Sequence, residues 1–446
     1  MFTSLFFLAL IPIIPIGFKI IKKKELNLFD ISVVFSALYF CAIPLNDFFF
    51  NHYRPQYIGR MNTAYAICIF IWLQYFVSLI YSKKEKSALI ITHKLKQIQT
   101  ITVKDTFQWF ALIYIGYMLY KTTDYSSLSK YNLEGNINFF YGANTNILLK
   151  MVLVTFREFL PAIFLILWTN RPRRKLYSNL RRINLALIIA TILLGNKGFM
   201  IYNCVFLFLY LYSTQRDKIT KKKITMYLSA VVILFSIIFP LSQSFRYYKQ
   251  EAVSGYGRHD FTTVAKGFAT DGINDDLKDR VDAYQKGRSL NLYDAVDFGA
   301  SVTSFKGNGL MTAMILKYII PQRMDNDGNI MAELMLGGGD VGESILAWYV
   351  LDWGFLIGPF VAVIHMILIF LLYYYLGIYF NRWIKSPVYP LVIYTIILRT
   401  VIGVEHNPVT DIKMIYSTYY LIIIFVGVVL YTFTKKTKIS KSTYKQ

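Results

Sequence analysis

Cysteine, histidine and acidic residues are all scarce in this chain, which has three Cys, five His and 26 Asp plus Glu against 48 Lys plus Arg in 446 residues. Cys41, Cys68 and Cys204 all lie in or beside apolar runs, so neither a disulfide framework nor a zinc site is indicated. No H-E-x-x-H, G-x-S-x-G or P-loop pattern occurs. Gly337–Gly342 reads GGGDVG and formally matches G-x-G-x-x-G, but no βαβ unit surrounds it, and a flexible loop is the simpler reading. Asp325-Asn326-Asp327-Gly328 resembles the start of a calcium loop, yet Ile330 stands where the sharp turn needs glycine and Leu336 where the terminal glutamate belongs. It reads as a turn. No metal or other cofactor is implied.

What the chain has in abundance is apolar sequence: 55% hydrophobic residues, 17% aromatic, and a mean hydropathy of +0.42. Runs near the ~20 residues that cross a bilayer recur along its length. The first, Thr3 to Ile20, is followed by Lys22-Lys23-Lys24. A secretory signal has its charge before the apolar region, so this run reads as an uncleaved first span. Further spans are expected at Asp30–Leu45, Thr63–Tyr81, Thr106–Tyr120, Ile147–Trp168, Ile224–Leu241, Ser344 to about Phe380, Val388–Gly403 and Asp411–Phe433.

The formal charge of +22 is not a nucleic-acid footprint. More than half of the Lys and Arg fall in clusters at Lys19–Lys24, Lys83–Lys104, Arg171–Arg182, Arg216–Lys223, Arg382–Lys385 and Lys435–Lys445. Each cluster lies between expected spans or at the C-terminus, the positive-inside pattern of a polytopic protein facing anionic headgroups.

Ile183–Ser213 has strongly basic flanks on both sides, so a single crossing would put one flank on the wrong face. Gly195-Asn196-Lys197-Gly198 breaks the run and suits a tight reversal. Two short spans with a recessed tip at the outer side are therefore expected. Gln243–Glu343 is the one long stretch without a span, and is expected outside the membrane, with short helices at Asn274–Lys286 and Asn308–Ile320. The fold class is all-α, a polytopic helical membrane protein of about 11 transmembrane helices with one large extracytoplasmic loop. Its divisions are residues 1–242 with eight spans, 243–343 as the loop, and 344–446 with three spans and a basic cytoplasmic tail.

Ionisable residues inside spans are costly and point to function. Lys150 and Arg157 fall on one face of the fifth span, Lys197 at the hairpin tip, Arg246 after the eighth span, Arg399 near the outer end of the tenth and Lys413 at the start of the eleventh. These six cations from separate parts of the chain fit a positively charged outer pocket suited to phosphates. Snorkelling to headgroups is the competing reading, chiefly for Lys150 and Lys413, and pairing with Glu158 or a facing carboxylate is the competing one for Arg157. Lys197 is the best single candidate. Glu405 and His406 flank the cluster in a short outer turn, whereas His365 in mid-span reads as a packed histidine with a backbone partner.

Several stretches resemble the Wzy-type oligosaccharide repeat-unit polymerases, which act on O-antigen and enterobacterial common antigen. LLGNKGFMIYNCVFLFLYLY (Leu193–Tyr212) is similar to their glycine-flanked basic break followed by an apolar run. SFRYYK (Ser244–Lys249), YIIPQRMDND (Tyr318–Asp327), GESILAWYVLDWGFLIGP (Gly342–Pro359) and RTVIGVEHNPVTDIKMIY (Arg399–Tyr416) resemble further family segments, although the second proline of the third is missing. O-antigen ligases share the plan, so the resemblance leaves polymerase and ligase both open. A flippase or other transporter is a further alternative, and transporters commonly show repeat symmetry and broken helices at the midplane.

The resemblance implies a bacterial cytoplasmic-membrane glycosyltransferase that is metal-independent and uses undecaprenyl-diphosphate-linked oligosaccharide. A chain-length regulator is a candidate protein partner and membrane lipid a second one. Lys197, Arg246 and Arg399, with Arg157 and Lys413, would bind the diphosphate. Arg258, Arg280 and Arg323 would contact sugars or the second lipid carrier, and Glu405 or His406 would be the general base.

Overall fold

A computed structural model describes residues 2–49, 61–82, 164, 178–179, 181–186, 188, 197–215, 220, 222–223, 225–226, 229 and 344–383. Among these, 91% are helical and there is no strand. The chain divides into two compact units, Met1–Lys94 with Tyr284–Ile378 and Thr395–Ser417, and Leu95–Ala283 with Tyr379–Tyr394 and Thr418–Gln446. The first unit contains α1 (Phe2–Leu10), α2 (Ile13–Ile21), α3 (Leu28–Phe49) and α4 (Met61–Ser82). The second contains α5 (Lys197–Gln215). A final helical stretch, α6 (Ile345–Trp383), opens in the first unit.

Three stretches are long and apolar enough to cross a membrane: Ser4–Ile21, Asn62–Ser82 and Asp352–Leu372. Their outward faces are apolar too. Along α6 the exposed residues Leu356, Ile357, Phe360, Ile364, Leu368 and Leu372 recur at helical spacing. In water such a stripe would be a liability; in a bilayer it faces acyl chains.

The first span is bent into α1 and α2 at Ile11 and Pro12. Pro12 has no N–H, so the carbonyl of Leu8 loses its helical donor. That carbonyl is satisfied instead by the Ile11 N–H at 3.3 Å and by the indole N–H of Trp72 on α4 at 3.1 Å. The proline thus bends the span and ties it to its neighbour. At the other end, Lys24 N–H bonds Lys19 O at 2.8 Å and Lys23 N–H bonds Ile20 O at 3.0 Å, the double closure of a Schellman ending. Lys23 takes the left-handed position at φ 55°, where glycine is usual.

Packing among α1, α3 and α4 is apolar at the core, with Phe6, Phe29, Phe40 and Phe70 fully buried and Phe40 meeting Phe70 edge-on at 6.1 Å. Phe29 also packs on Phe370 of α6 at 5.2 Å. Within this core runs a polar seam. Asn27 caps α3 by accepting the Asp30 N–H at 2.9 Å while Asp30 accepts the Asn27 N–H at 2.9 Å, a reciprocal box. Asp30 also accepts from Lys19 Nζ at 2.7 Å and from the Ser78 hydroxyl at 2.6 Å. Asn27 Nδ2 donates to Ser78 O and to Ser82 Oγ, each at 2.9 Å, joining α4 to the α2–α3 corner. About one to two turns further along α3, Ser32 and Ser36 donate to Gln74 Oε1 at 2.7 and 3.2 Å.

Helices α3 and α4, each 22 residues long, cover the expected spans Asp30–Leu45 and Thr63–Tyr81, and of the two only α4 is among the three membrane-length apolar stretches. The other expected spans outside 2–49, 61–82, 197–215 and 344–383, the loop 243–343 and its two helices lie outside the described residues, as does the count of eleven.

Candidate functional site

The stretch after Ser344 does not form the single long span that its apolar sequence suggests. Gly354 has φ 75° and ψ 177°, which breaks α6 into an Ile345–Trp353 limb and a limb from Phe355 to Trp383. This corner of backbone space is essentially reserved for glycine. In one straight helix Val350 and Gly358 would stand ~12 Å apart. Here a Cβ built on Gly358 would lie 2.7 Å from the carbonyl oxygen of Tyr349 and 2.7 Å from the Cα of Val350. The chain therefore doubles back on itself, and glycine at 358 lets the two limbs touch backbone to backbone.

One side-chain bond pins the hairpin. The Tyr349 hydroxyl and His365 Nδ1 are 2.9 Å apart, and their rings lie 5.7 Å apart. His365 was expected to pair with backbone; the Tyr349 hydroxyl on the facing limb is a partner that expectation did not include. Asp352, one turn beyond Tyr349, is buried at 3% exposure. Pro359, five residues after the break, has no N–H to offer the Phe355 carbonyl of the same limb.

The first limb is enclosed at its start, where no residue from Ser344 to Val350 exceeds 3% exposure, and Trp353 at its end is exposed. A short helix with a buried start, ending in an irregular reversal, is an arrangement tolerated at membrane depth only inside protein or beside a cavity. Asp352, His365 and Tyr349 give it the ionisable side chains that membrane segments otherwise avoid.

Of the residues expected to act on substrate, Lys197 alone falls among the described ones. It is the first residue of α5, so the glycine-flanked break does end where a helix begins. The helix it opens is 19 residues long, ~28 Å, and its apolar part, Cys204–Gln215, is shorter than a full span. Its polar end is knitted by Ser213 and Thr214, whose hydroxyls donate back to the carbonyls of Leu209 and Tyr210. A helix start concentrates unpaired N–H groups and positive dipole, and a lysine there adds to an anion-attracting end. Arg157, Arg246, Arg258, Arg280, Arg323, Arg399, Glu405, His406 and Lys413 all lie outside the described residues. Among the described residues no group of three or more His, Cys, Asp or Glu is placed to hold a metal.

Sequence reasoning missed three ionisable residues in apolar surroundings, Lys19, Asp30 and Asp352. Asp30 was taken only as the start of a span, and Lys19 only as a topology charge, yet they form a bridge at 2.7 Å with Asp30 at 1% exposure. The signal was there: a lysine ending one apolar run and an aspartate opening the next. Asp352 was passed over because the surrounding run is apolar enough to hide one carboxylate. The Lys19–Asp30 group is fully engaged by its neighbours and acts as a clasp, not a site. No family model, curated protein or solved structure matches the chain.

Proposed function

We propose that the protein is a membrane glycosyltransferase that joins undecaprenyl-diphosphate-linked oligosaccharide repeat units at the outer face of a bacterial cytoplasmic membrane. The observation that carries this reading is Lys197, a glycine-flanked cation at the start of a 19-residue helix. Cleaving the anomeric C–O bond leaves negative charge on the departing diphosphate, and fixed cations in a water-poor site stabilise that charge. Lys197, Arg246 and Arg399 would take the diphosphate, with Arg157 and Lys413 in support. Glu405 or His406 would accept the proton of the attacking hydroxyl. Arg258, Arg280 and Arg323 would meet sugars or the second lipid carrier. The resemblance of Leu193–Tyr212 and Gly342–Pro359 to repeat-unit polymerases supports the same reading.

The test is a strain whose own gene is replaced by Lys197→Ala or Arg246→Ala. Long-chain glycan is expected to vanish while single repeat units are still attached, with Lys197→Arg restoring part of the chain length. Normal chain lengths in both alanine variants would overturn the reading. Unattached polymer accumulating in a null strain would instead mark a ligase.

The broken hairpin at Gly354 favours one second reading. Discontinuous helices commonly mark substrate sites in transporters, so a lipid-linked oligosaccharide flippase is the runner-up. It predicts that a null strain holds its repeat units on the cytoplasmic side of the membrane.

A further inference from the structure

The second limb of α6 fixes depth in the membrane. Every exposed residue described between Trp353 and Tyr375 is apolar or aromatic, and Leu356, Phe360, Ile364, Leu368 and Leu372 recur at every fourth position. From Leu356 to Tyr375 the helix rises ~28 Å, close to the ~30 Å hydrocarbon core of a bilayer. Its two ends carry rings that prefer headgroup level, Trp353 at 39% exposure and Tyr375 at 61%. The most apolar window, Asp352–Leu372, has nearly the same limits. Trp353 and Tyr375 therefore stand at opposite edges of the core, and the Gly354 break lies at the edge beside Trp353.

The first limb must then run inward from that edge. In a straight helix Tyr349 and His365 would stand ~24 Å apart. Their side chains meet at 2.9 Å from points ~7 Å and ~16 Å along the two limbs from Gly354, which requires the limbs to lie side by side. The backbone approach of Gly358 to Tyr349 and Val350 requires the same. Ser344 is ~15 Å along the first limb from Gly354, level with about Val363 and Ile364 on the second. That is half the thickness of the hydrocarbon core. From Ser344 to Val350 the limb has no exposed residue, so it reaches this depth covered by protein. Irregular backbone at membrane depth needs that cover.

We infer that the Ile345–Trp353 limb is re-entrant, hanging from the bilayer edge marked by Trp353 and beginning near the middle, while the Leu356–Tyr375 face lies against lipid acyl chains. The chain thus stands in mid-membrane at Ser344, climbs to the edge at Gly354 and then crosses along the second limb. Acyl chains are the occupant of the exposed face because its length matches the bilayer core and its exposed Trp and Tyr stand only at the ends. A helical protein partner would set neither limit. The placement puts Asp352 at headgroup level, Tyr349 ~7 Å below it and His365 near the midplane. It holds whatever reaction the protein performs.

The test reads depth in the full-length wild type, held in phosphatidylcholine nanodiscs and isotope-labelled at its isoleucine methyl groups. Ile345→Val, Ile357→Val and Ile364→Val serve only to assign three signals, and each removes a single methylene. Phosphatidylcholine carrying a nitroxide near the headgroup, or near the end of an acyl chain, is then added. The ratio of line broadening, chain-end over headgroup nitroxide, is expected above unity at Ile364 and at Ile345. It is expected below unity at Ile357, which lies beside the break. A ratio below unity at Ile345 with Ile364 above it would set the limb start at the edge and overturn the re-entrant limb. Stronger broadening of Ile345 and Ile364 by a water-soluble gadolinium chelate than by either lipid would put the hairpin outside the bilayer and overturn it too. Ile364 untouched by both lipids, with magnetisation passing between differently labelled copies, would mark a second copy of this chain on the face and overturn the lipid contact.

Discussion

The N-terminal bundle and the Ser344–Trp383 hairpin are both built from apolar helix, yet they are held together by different means. In α2, α3 and α4 the helices are stitched by side chains: Lys19, Asn27, Asp30, Ser78 and Ser82 at one level, and Ser32, Ser36 and Gln74 at the next. Each of these polar groups answers another. In the hairpin the limbs meet backbone to backbone at Gly358, with a Tyr349–His365 bond across them and the Trp348 indole N–H left over. A satisfied polar network fixes an arrangement, whereas an unsatisfied donor in a buried place carries an uncompensated desolvation cost. The bundle is closed by its own polar groups, whereas the hairpin keeps a buried indole N–H without a partner.

Breaking the scaffold should have the largest effect. Asp30→Ala strands the Lys19 ammonium among buried hydroxyls, and removing one partner of a buried pair typically costs about 3–5 kcal/mol. A pronounced loss of thermal stability in detergent is expected, and the double variant with Lys19→Met should recover much of it. Next comes Gly358→Ala, whose Cβ would press on backbone atoms that cannot give way. Overpacking of this kind costs about 1–3 kcal/mol, and the limbs should move apart, as read by spin-label distances between them. Tyr349→Phe should cost only about 1 kcal/mol, the net worth of one hydrogen bond. Equal losses for Asp30→Ala and Tyr349→Phe would erase the contrast between the regions. At the small end, Gly17→Ala on α2 has open space around the added methyl and should stabilise by up to about 1 kcal/mol through helix propensity.

The legible part of the fold was the part written in apolar length and basic flanks. Hydropathy located α3 and α4 to within a few residues, because span length is dictated by bilayer thickness. The break before Lys197 was readable from its glycines. Hydropathy could not show the reversal at Gly354, because a hairpin of two apolar limbs and one long span have the same composition. Gly354, Gly358 and Pro359 close together were the available sign, and the run was read as one span instead. The Lys19–Asp30 pair escaped because pairing across a corner depends on the Schellman ending at Lys23, a feature that a lysine does not announce. Among the site residues, Lys197 was found at a helix start as its flanking glycines suggested. The unpartnered indole of Trp348 was not foreseen, because a tryptophan in an apolar run reads as packing.

The central claim is that cations led by Lys197 hold a lipid-linked diphosphate while its sugar is transferred. The most direct measurement is product length from purified protein in liposomes supplied with undecaprenyl-diphosphate-linked repeat units. A ladder of polymers from the wild type, reduced at least about a hundredfold in rate by Lys197→Ala, is the predicted result. A wild-type ladder that Lys197→Ala leaves unchanged, or no ladder from well-folded wild type, would contradict it.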